Sequence, residues 1–273
     1  MLISNEDIIK YYDTHQFTYT HFWSPTALHY GLWYEDTKNL PEAITNTNKF
    51  VVNELAIDPS DTVLDAGCGV GGTSMYIAER TGARVEGITL SGVQLKIATE
   101  RASRSAVERL LNFSQQDYIH TNFKDATFSK VFGIESICHA HKKIDFLNEA
   151  YRITKPGGKI CVIDAFRTKE NLSAEEGNIY AKCVEGWAVP DFATKEGFSE
   201  DLAQAGFKKI VFHDLHDKIK KSSEKIYRQS LFAYPIKYIQ SKFGFPRDLS
   251  SFYQKSLFER KIAIYGAFVA EKI

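Results

Sequence analysis

The sequence predicts an α/β fold, and three observations support this prediction. The segment Val63–Ser74 reads VLDAGCGVGGTS, an apolar run followed by closely spaced glycines and a threonine that can start a helix. Short apolar runs alternate with segments of helical periodicity along the rest of the chain. The 273 residues, 44% of them hydrophobic and 25% charged, suffice for one large domain with a full core. Strands and helices are therefore expected to alternate around one sheet.

Composition and charge limit the possible partners. Lys plus Arg and Asp plus Glu number 34 each, so no global field favours nucleic acid or an anionic membrane. The first residues lack a basic and an apolar signal region, and no apolar run approaches the ~20 residues of a membrane span. We therefore expect a cytoplasmic protein with a small-molecule partner. The four cysteines have no metal-like spacing, so no metal site is predicted, and Cys68 and Cys161 should be buried thiols.

Residues 1–40 precede the predicted α/β domain, which spans 41–273. They are rich in aromatic side chains, and two interpretations stay open: the segment either plugs one edge of the domain or forms a lid over a ligand. Pro41 then suits the first turn of a helix that packs beside the sheet. Two insertions, at about 166–200 and 217–260, are expected to cap the domain. Pro235 and Pro246 should kink or break the second insertion.

The remaining elements follow from apolar periodicity and from turn residues. Beyond the first strand at Val63, strands are predicted over Ala83–Leu90, Leu111–Gln116, Ser129–Glu135, Lys159–Asp164, Lys208–Leu215 and Ala263–Glu271. Helices are predicted over Thr73–Arg80, Lys142–Ile153 and Glu196–Ala205. The sequence Lys155-Pro-Gly-Gly is expected to form a breaker turn between a helix and the fifth strand.

The glycine-rich turn allows three interpretations. From Gly67 it matches G-x-G-x-x-G, the dinucleotide fingerprint, with Glu86 near the expected ~20-residue offset of a ribose-binding acid. From Asp65 it reads D-x-G-x-G-x-G, which closely resembles S-adenosylmethionine-dependent methyltransferases. A carboxylate at Asp65 would repel a pyrophosphate, and Glu86 falls inside the second strand, so the methyltransferase interpretation is favoured. The glycines could also serve only a sharp turn.

Three further segments resemble the branch of this family that acts on sterols, tocopherols and cyclopropane fatty acids. Residues 87–94 resemble its Gly-Ile-Thr-Leu-Ser-x-x-Gln element, in which neutral groups replace the usual ribose-binding acid. Ser91 and Gln94 also form a capping-box pattern, and both roles can hold at once. Residues 29–33 resemble its His-x-Gly-x-aromatic element, and 133–140 its sterol C-methyltransferase segment with Glu135 and His139.

The resemblance covers roughly residues 10–165 and implies a Rossmann-like, seven-stranded, mostly parallel sheet. The last strand should be antiparallel, with helices on both faces and helical cap insertions. The implied cofactor contacts are Asp65, Gly67, Cys68, Gly69, Gly71, Thr89, Leu90, Gln94, Gln116, Asp117 and Tyr118. Asp117 would accept the adenine amine, or alternatively cap a helix. The implied catalytic residues are Glu135, His139 and Tyr11. The implied substrate contacts are Tyr12, Trp23, Tyr30, Trp33 and Trp187.

The resemblance implies an S-adenosylmethionine-dependent methyltransferase of a small, hydrophobic, isoprenoid- or sterol-like molecule, with transfer to carbon favoured and S-adenosylhomocysteine as product. Glu135 or His139 would take a proton, or serve a structural or polar-loop role instead. Transfer to oxygen or nitrogen of a phenol, sugar or phosphoethanolamine is an alternative; Lys142 with Lys143, or Arg228, could grip a phosphate. An NAD-dependent oxidoreductase and a non-catalytic cofactor-binding protein remain as alternatives of other classes.

Overall fold

The computed structural model describes residues 3–242 and 249–273, with the backbone alone described over 232–242. In this part of the chain seven strands form one sheet in the order β3-β2-β1-β4-β5-β7-β6. The strands are β1 Thr62–Ala66, β2 Arg84–Thr89, β3 Leu111–Gln115, β4 Phe128–Ile134, β5 Thr154–Arg167, β6 Lys208–Asp214 and β7 Ala263–Glu271. β7 runs antiparallel to both its neighbours, and the pairings among β1 to β5 are all parallel. This is the predicted mostly parallel sheet with an antiparallel last strand.

Nine α-helices are found in the described residues. They are α1 Asn5–Thr18, α2 Leu40–Leu55, α3 Gly72–Thr81, α4 Gly92–Ala102, α5 Lys143–Ile153, α6 Ala174–Gly186, α7 Lys195–Ala205, α8 Lys220–Lys242 and α9 Ser250–Glu259. A π-helical turn, Tyr19–Trp23, follows α1, and a short 3₁₀ turn, Ile137–His139, follows β4. The structure has no helix in these residues with the length and hydropathy needed to cross a membrane.

The sheet separates two apolar cores because side chains alternate along its strands. Val63 of β1 belongs to one core, together with residues of α2 and α3. Its neighbour Leu64 belongs to the other core, with Phe146 of α5 and Leu202 of α7. Helices therefore cover both faces of the sheet, as predicted. All four cysteines are buried, and none of them forms a disulfide.

Local signals set the ends of the helices. The Asn39 side chain accepts a hydrogen bond from the Glu42 N–H (2.9 Å) at the start of α2, and Pro41 occupies its first turn. Gly82 and Gly206 end α3 and α7 in the left-handed conformation.

The predicted break at Lys155-Pro-Gly-Gly is wrong. These residues belong to β5, which already pairs with β4 at Thr154 and shifts its register before Lys159. Because the segment pairs with β4 at both ends, it stays in the sheet. Gly157 adopts φ +77° within the stretch where the register shifts. α8 continues across Pro235, whereas Pro246 lies outside the described residues.

Candidate active site

The carboxyl ends of the five parallel strands, β1 to β5, border a cavity of about 730 Å³. Asp65 and Thr89 border it where β1 and β2 end. Glu135 and Asp164 border it at the ends of β4 and β5. Its outer walls come from α1, the π-helical turn, the loop before α2, and α8 and α9. The cavity has the size and position expected of a small-molecule site in an open α/β sheet.

The glycine turn approaches the end of β4 closely. Gly67 has φ +94°, and a Cβ placed there would lie 2.4 Å from the Cβ of Ser136. Ser136 Oγ donates to the Ala66 carbonyl (2.6 Å), which fixes this contact. Only glycine fits this position. Gly67, Cys68 and Gly69 all border the cavity.

Gly71 lies outside the lining of the cavity, between Val70 and Gly72, which border it, and its cofactor contact stays a prediction. It is the left-handed N-cap of α3 (φ +78°), and a Cβ there would lie 2.8 Å from the Phe113 ring and 3.1 Å from Ala98. Packing between α3, α4 and β3 therefore requires this glycine. The fold itself thus requires a glycine at position 71, whatever ligand the turn binds.

Asp65 places a carboxyl group at the base of the cavity. Ser74 Oγ donates to its Oδ2 (2.6 Å), and Oδ1 has no hydrogen-bond partner among the described residues. Burial raises the Asp65 pKa to about 7, and the Ser74 hydrogen bond opposes this shift. A cationic group beside Oδ1 would restore the ionised form.

The end of β2 carries half of the predicted capping box. Ser91 Oγ accepts from the Gln94 N–H (3.0 Å), but the Gln94 side chain does not return to the Ser91 backbone. Its Oε1 instead accepts from Thr89 Oγ1 (2.9 Å), and its Nε2 is buried without a partner. Thr89, Leu90 and Gln94 all border the cavity. An acceptor such as a ribose hydroxyl would satisfy the orphaned amide.

The residues after β3 contact either the cavity or α1. Gln116 and Tyr118 border the cavity, whereas Asp117 lies outside its lining, and its contact with adenine stays a prediction. Asp117 Oδ2 accepts from Asn5 Nδ2 of α1 (2.8 Å), and Oδ1 accepts from the Ile119 N–H (3.0 Å). Asp117 thus ties α1 to the rim of the site.

Glu135, directly after β4, has its backbone in the left-handed conformation. Its φ of +49° is unusual for a residue with a side chain, a kind of strain that is often found at functional sites. The Tyr30 N–H and the Tyr265 hydroxyl donate to its Oε1, at 2.7 and 2.6 Å, and Oε2 has no partner among the described residues. Burial raises the Glu135 pKa to about 8, against the effect of both hydrogen bonds. A carboxyl with such a pKa is suited to exchange protons near neutral pH.

His139 is held between Tyr12 of α1 and the segment after α6. Its Nδ1 lies 3.0 Å from the Ala188 carbonyl, and its Nε2 lies 2.8 Å from the Tyr12 hydroxyl. Because a carbonyl can only accept, these partners assign the ring proton to Nδ1, so Nε2 accepts from Tyr12. Burial lowers the His139 pKa to about 4, so the ring is neutral at physiological pH. Both His139 and Tyr12 border the cavity.

Aromatic side chains form the outer part of the cavity. Tyr11, Tyr12, Trp23, Tyr30 and Trp187 border it. The Tyr11 and Tyr19 hydroxyls lie 2.7 Å apart. Trp33 lies outside the lining of the cavity, and its Nε1 donates to Ser222 Oγ (2.9 Å) at the start of α8. Its substrate contact stays a prediction.

Sequence reasoning missed two side chains at the site. Asp164 accepts from the Cys138 N–H (2.8 Å) and the Ala165 N–H (2.9 Å), and burial raises its pKa to about 6. Its position at the carboxyl end of a predicted parallel strand was a usable signal. Tyr265 offered no such signal, since it lies in the antiparallel strand, 130 residues from its partner Glu135.

The residues required by a dinucleotide site are not assembled. Glu86 lies within β2, accepts from Asn112 Nδ2 (2.8 Å) and does not border the cavity. The described residues contain no group of three or more His, Cys, Asp or Glu side chains arranged to hold a metal ion.

Comparisons with known proteins were made for the sequence and the fold. The family described as mycolic acid cyclopropane synthetase matches residues 3–222. The chain is 27% identical over 275 residues to the sterol 24-C-methyltransferase of Saccharomyces cerevisiae, covering 98% of the chain and 68% of the relative. It is 31% identical over 211 residues to the cycloartenol-C-24-methyltransferase of Arabidopsis thaliana, covering 76% of the chain and 61% of the relative.

The fold is shared with a solved bacterial structure. The cyclopropane synthase MmaA2 from Mycobacterium tuberculosis superposes with a TM-score of 0.84 at 19% identity, and the match covers 98% of each chain. At this identity the comparison shows the fold alone. The sequence comparisons leave about a third of the length of each curated relative outside the match.

Proposed function

Because the chain belongs to the mycolic acid cyclopropane synthetase family, and its relatives above are named as methyltransferases, we propose that it methylates a carbon atom of a small, neutral, isoprenoid- or sterol-like acceptor, with S-adenosylmethionine as the methyl donor. One observation carries this proposal: the glycine turn with Asp65 and the strained Glu135 border the same aromatic cavity. The relatives' acceptors are sterols by name, and their extension to this chain is part of the proposal.

The residues present fit the cofactor. Asp65 Oδ1 is free to accept from the cofactor's ammonium group, and the orphaned Gln94 amide is free to donate to a ribose hydroxyl. Gln116 and Tyr118 border the part of the cavity where the adenine ring would lie. When bound, S-adenosylmethionine supplies an electrophilic methyl group on a sulfonium. We assign Gly67, Cys68, Gly69, Thr89 and Leu90 to the same cofactor site.

The acceptor side of the site suits an alkene. The alkene's electron pair forms the new carbon–carbon bond while the methyl–sulfur bond breaks and its electron pair stays on sulfur. The acceptor becomes a carbocation, which the faces of Tyr11 and Tyr30 stabilise. Glu135 Oε2 then takes a proton from the neighbouring carbon, and the carbon–hydrogen pair forms the new double bond.

The lid residues exclude water from this chemistry. We propose that residues 1–40 form the lid and that the insertions at about 166–200 and 217–260 complete the cap. α1, Trp187 and Phe258 contribute aromatic and apolar walls to the cavity. A carbocation in such a site is protected from capture by water.

A phosphate-bearing acceptor is less well supported. Lys142 is exposed, Lys143 donates to three backbone carbonyls, and Arg228 pairs with Glu224 (2.9 Å). None of the three cations borders the cavity. Among the described residues that border the cavity there is no Lys or Arg, which supports a neutral acceptor.

A transfer assay tests the proposal. Methyl-labelled S-adenosylmethionine is incubated with separate pools of sterols and prenyl alcohols, phenols and sugars, and ethanolamine phosphates, and the methylated atom is located by mass spectrometry. Label on carbon of an isoprenoid or sterol is expected. Label on oxygen or nitrogen would overturn carbon transfer but keep the methyltransferase. Heat stabilisation by NAD and not by S-adenosylhomocysteine would overturn the cofactor assignment.

The affinity for S-adenosylhomocysteine is expected to rise with pH. Asp65 has a pKa of about 7 in the ligand-free protein, and only its ionised form pairs with the ligand's ammonium. Between about pH 6 and about pH 8 the ionised fraction rises about 10-fold, so the dissociation constant should fall about 10-fold. Isothermal titration at several pH values measures this slope, and an affinity independent of pH would contradict it.

The same pKa shift has the opposite effect on the ligand-free fold. Since the folded pKa of Asp65 is raised from 3.8 to about 7, its contribution to stability is fully present below about pH 4 and is lost as the pH rises through about 7. Glu135 acts in the same direction up to about pH 8. The ligand-free protein should therefore lose stability over the pH range in which it gains affinity.

A further inference from the structure

Lys143 is a buried cation that the chemistry above does not use. It is the first residue of α5, and 8% of its surface is exposed. Its ammonium donates to the carbonyls of Cys138 (2.8 Å), Ala140 (2.6 Å) and Asp191 (2.8 Å). These three bonds use all its donors. Lys143 does not border the cavity, so it is not placed to touch a ligand.

The three carbonyls belong to two segments that meet at His139. Cys138 and Ala140 flank His139 in the chain, after β4. Asp191 lies three residues beyond Ala188, whose carbonyl accepts from His139 Nδ1. Lys143 therefore links the backbone around His139 to the segment whose Ala188 carbonyl accepts the hydrogen bond from the imidazole.

The segment around Asp191 is itself firmly held. Arg167 Nη2 lies 3.1 Å from Asp191 Oδ2, and Arg167 Nε donates to the Phe192 carbonyl (2.9 Å). The Tyr180 hydroxyl donates to the other carboxylate oxygen of Asp191. Lys143 thus ties the His139 loop to a segment with its own anchors, and not to a loose surface loop.

We propose that Lys143 is a positioning residue for methyl transfer. It fixes the spacing between the two segments, which keeps the His139 proton on Nδ1 and leaves Nε2 to accept from Tyr12. Tyr12 is thereby oriented with its oxygen at the cavity wall. The inference rests on the proposed function for its catalytic consequence, but its structural consequence can be measured without an acceptor.

The test compares Lys143→Met with Lys142→Met, which removes the same charge from the exposed neighbouring residue. The acceptor is the one that the transfer assay returns. For Lys143→Met, kcat should fall by up to about 100-fold, since a displacement of about 1 Å has that effect. The dissociation constant of S-adenosylhomocysteine should stay unchanged. Lys142→Met should match the wild type in both.

Nitrogen-15 spectra of the imidazole rings, recorded on the S-adenosylhomocysteine complex, provide the second readout. The His139 signals, assigned by their loss in His139→Gln, should show the Nδ1-protonated ring in the wild type and a mixture of tautomers in Lys143→Met. A merely structural lysine would lower thermal stability without changing this signature. The spectra need no acceptor, so failure of the proposed function leaves this test intact.

Three outcomes would overturn the proposal: an unchanged His139 spectrum, an unchanged kcat, or an equal loss of kcat and of S-adenosylhomocysteine affinity, which would indicate general damage. If Lys143→Met does not fold, Lys143→Gln replaces it, because its amide offers two donors for the three carbonyls. It should then give an intermediate kcat and a partly mixed His139 signature.

Discussion

Glu135→Gln is expected to reduce formation of the methylated, deprotonated alkene by about 100- to 10,000-fold, the range for loss of a general base. The amide keeps the shape of the side chain, and its oxygen can still accept from the Tyr30 N–H and the Tyr265 hydroxyl. It cannot take a proton from the acceptor. kcat should therefore fall while the affinity for S-adenosylhomocysteine is retained. Single-turnover formation of the labelled alkene measures the effect.

Glu108→Gln is the matched control for this variant. Glu108 is an exposed carboxylate before β3 and lies outside the cavity, so the same change there should leave kcat unaltered. If Glu135→Gln forms the labelled alkene at the wild-type rate, Glu135 is not the base. A labelled alcohol, formed when water captures the carbocation, would place Glu135 at the deprotonation step, with methyl transfer reduced less than alkene formation.

Asp65→Asn is expected to weaken the binding of S-adenosylhomocysteine by about 2–5 kcal/mol, which is at least about 30-fold. The substitution removes the partner of the ligand's ammonium but retains an acceptor for the Ser74 hydroxyl. Since asparagine has no charge to desolvate, the ligand-free protein should not melt below the wild type at about pH 8. Calorimetric titration and thermal unfolding measure the two effects separately.

The pH slope of binding provides an internal check on Asp65. In Asp65→Asn the slope near pH 7 should disappear, because the titrating carboxyl is gone. Asp36→Asn, at an exposed position outside the cavity, should keep both the affinity and the slope. An unchanged slope in Asp65→Asn would show that another group, such as Glu135, controls the titration.

The cofactor half of the site was predictable because its parts are local. A strand, a glycine turn and a helix start lie within Val63–Ser74, and each later strand ends in its own polar residue. Position at a strand end is enough to bring these residues together, since parallel strands share one edge. Asp65, Thr89 and Glu135, which the resemblance implies, border the cavity at such positions.

Long-range contacts are the part of the site that the sequence pattern could not predict. Asp117 accepts a hydrogen bond from Asn5, 112 residues earlier in the chain, and Trp33 donates to Ser222, 189 residues later. Local pattern does not report such partners, and Tyr265 was missed for this reason. At Gly71, packing against Phe113 demands the same residue type as a close ligand contact would.

The two hydrogen bonds that hold the Glu135 side chain affect the order in which the protein becomes functional. Its two hydrogen-bond partners lie 105 residues before it and 130 residues after it in the chain. Tyr265 arrives only when β7 inserts between β5 and β6, which is a late and slow kind of contact. A growing chain can therefore assemble the cofactor turn well before it completes the base. We expect nascent chains to acquire ligand affinity first and the capacity for turnover only with the last strand.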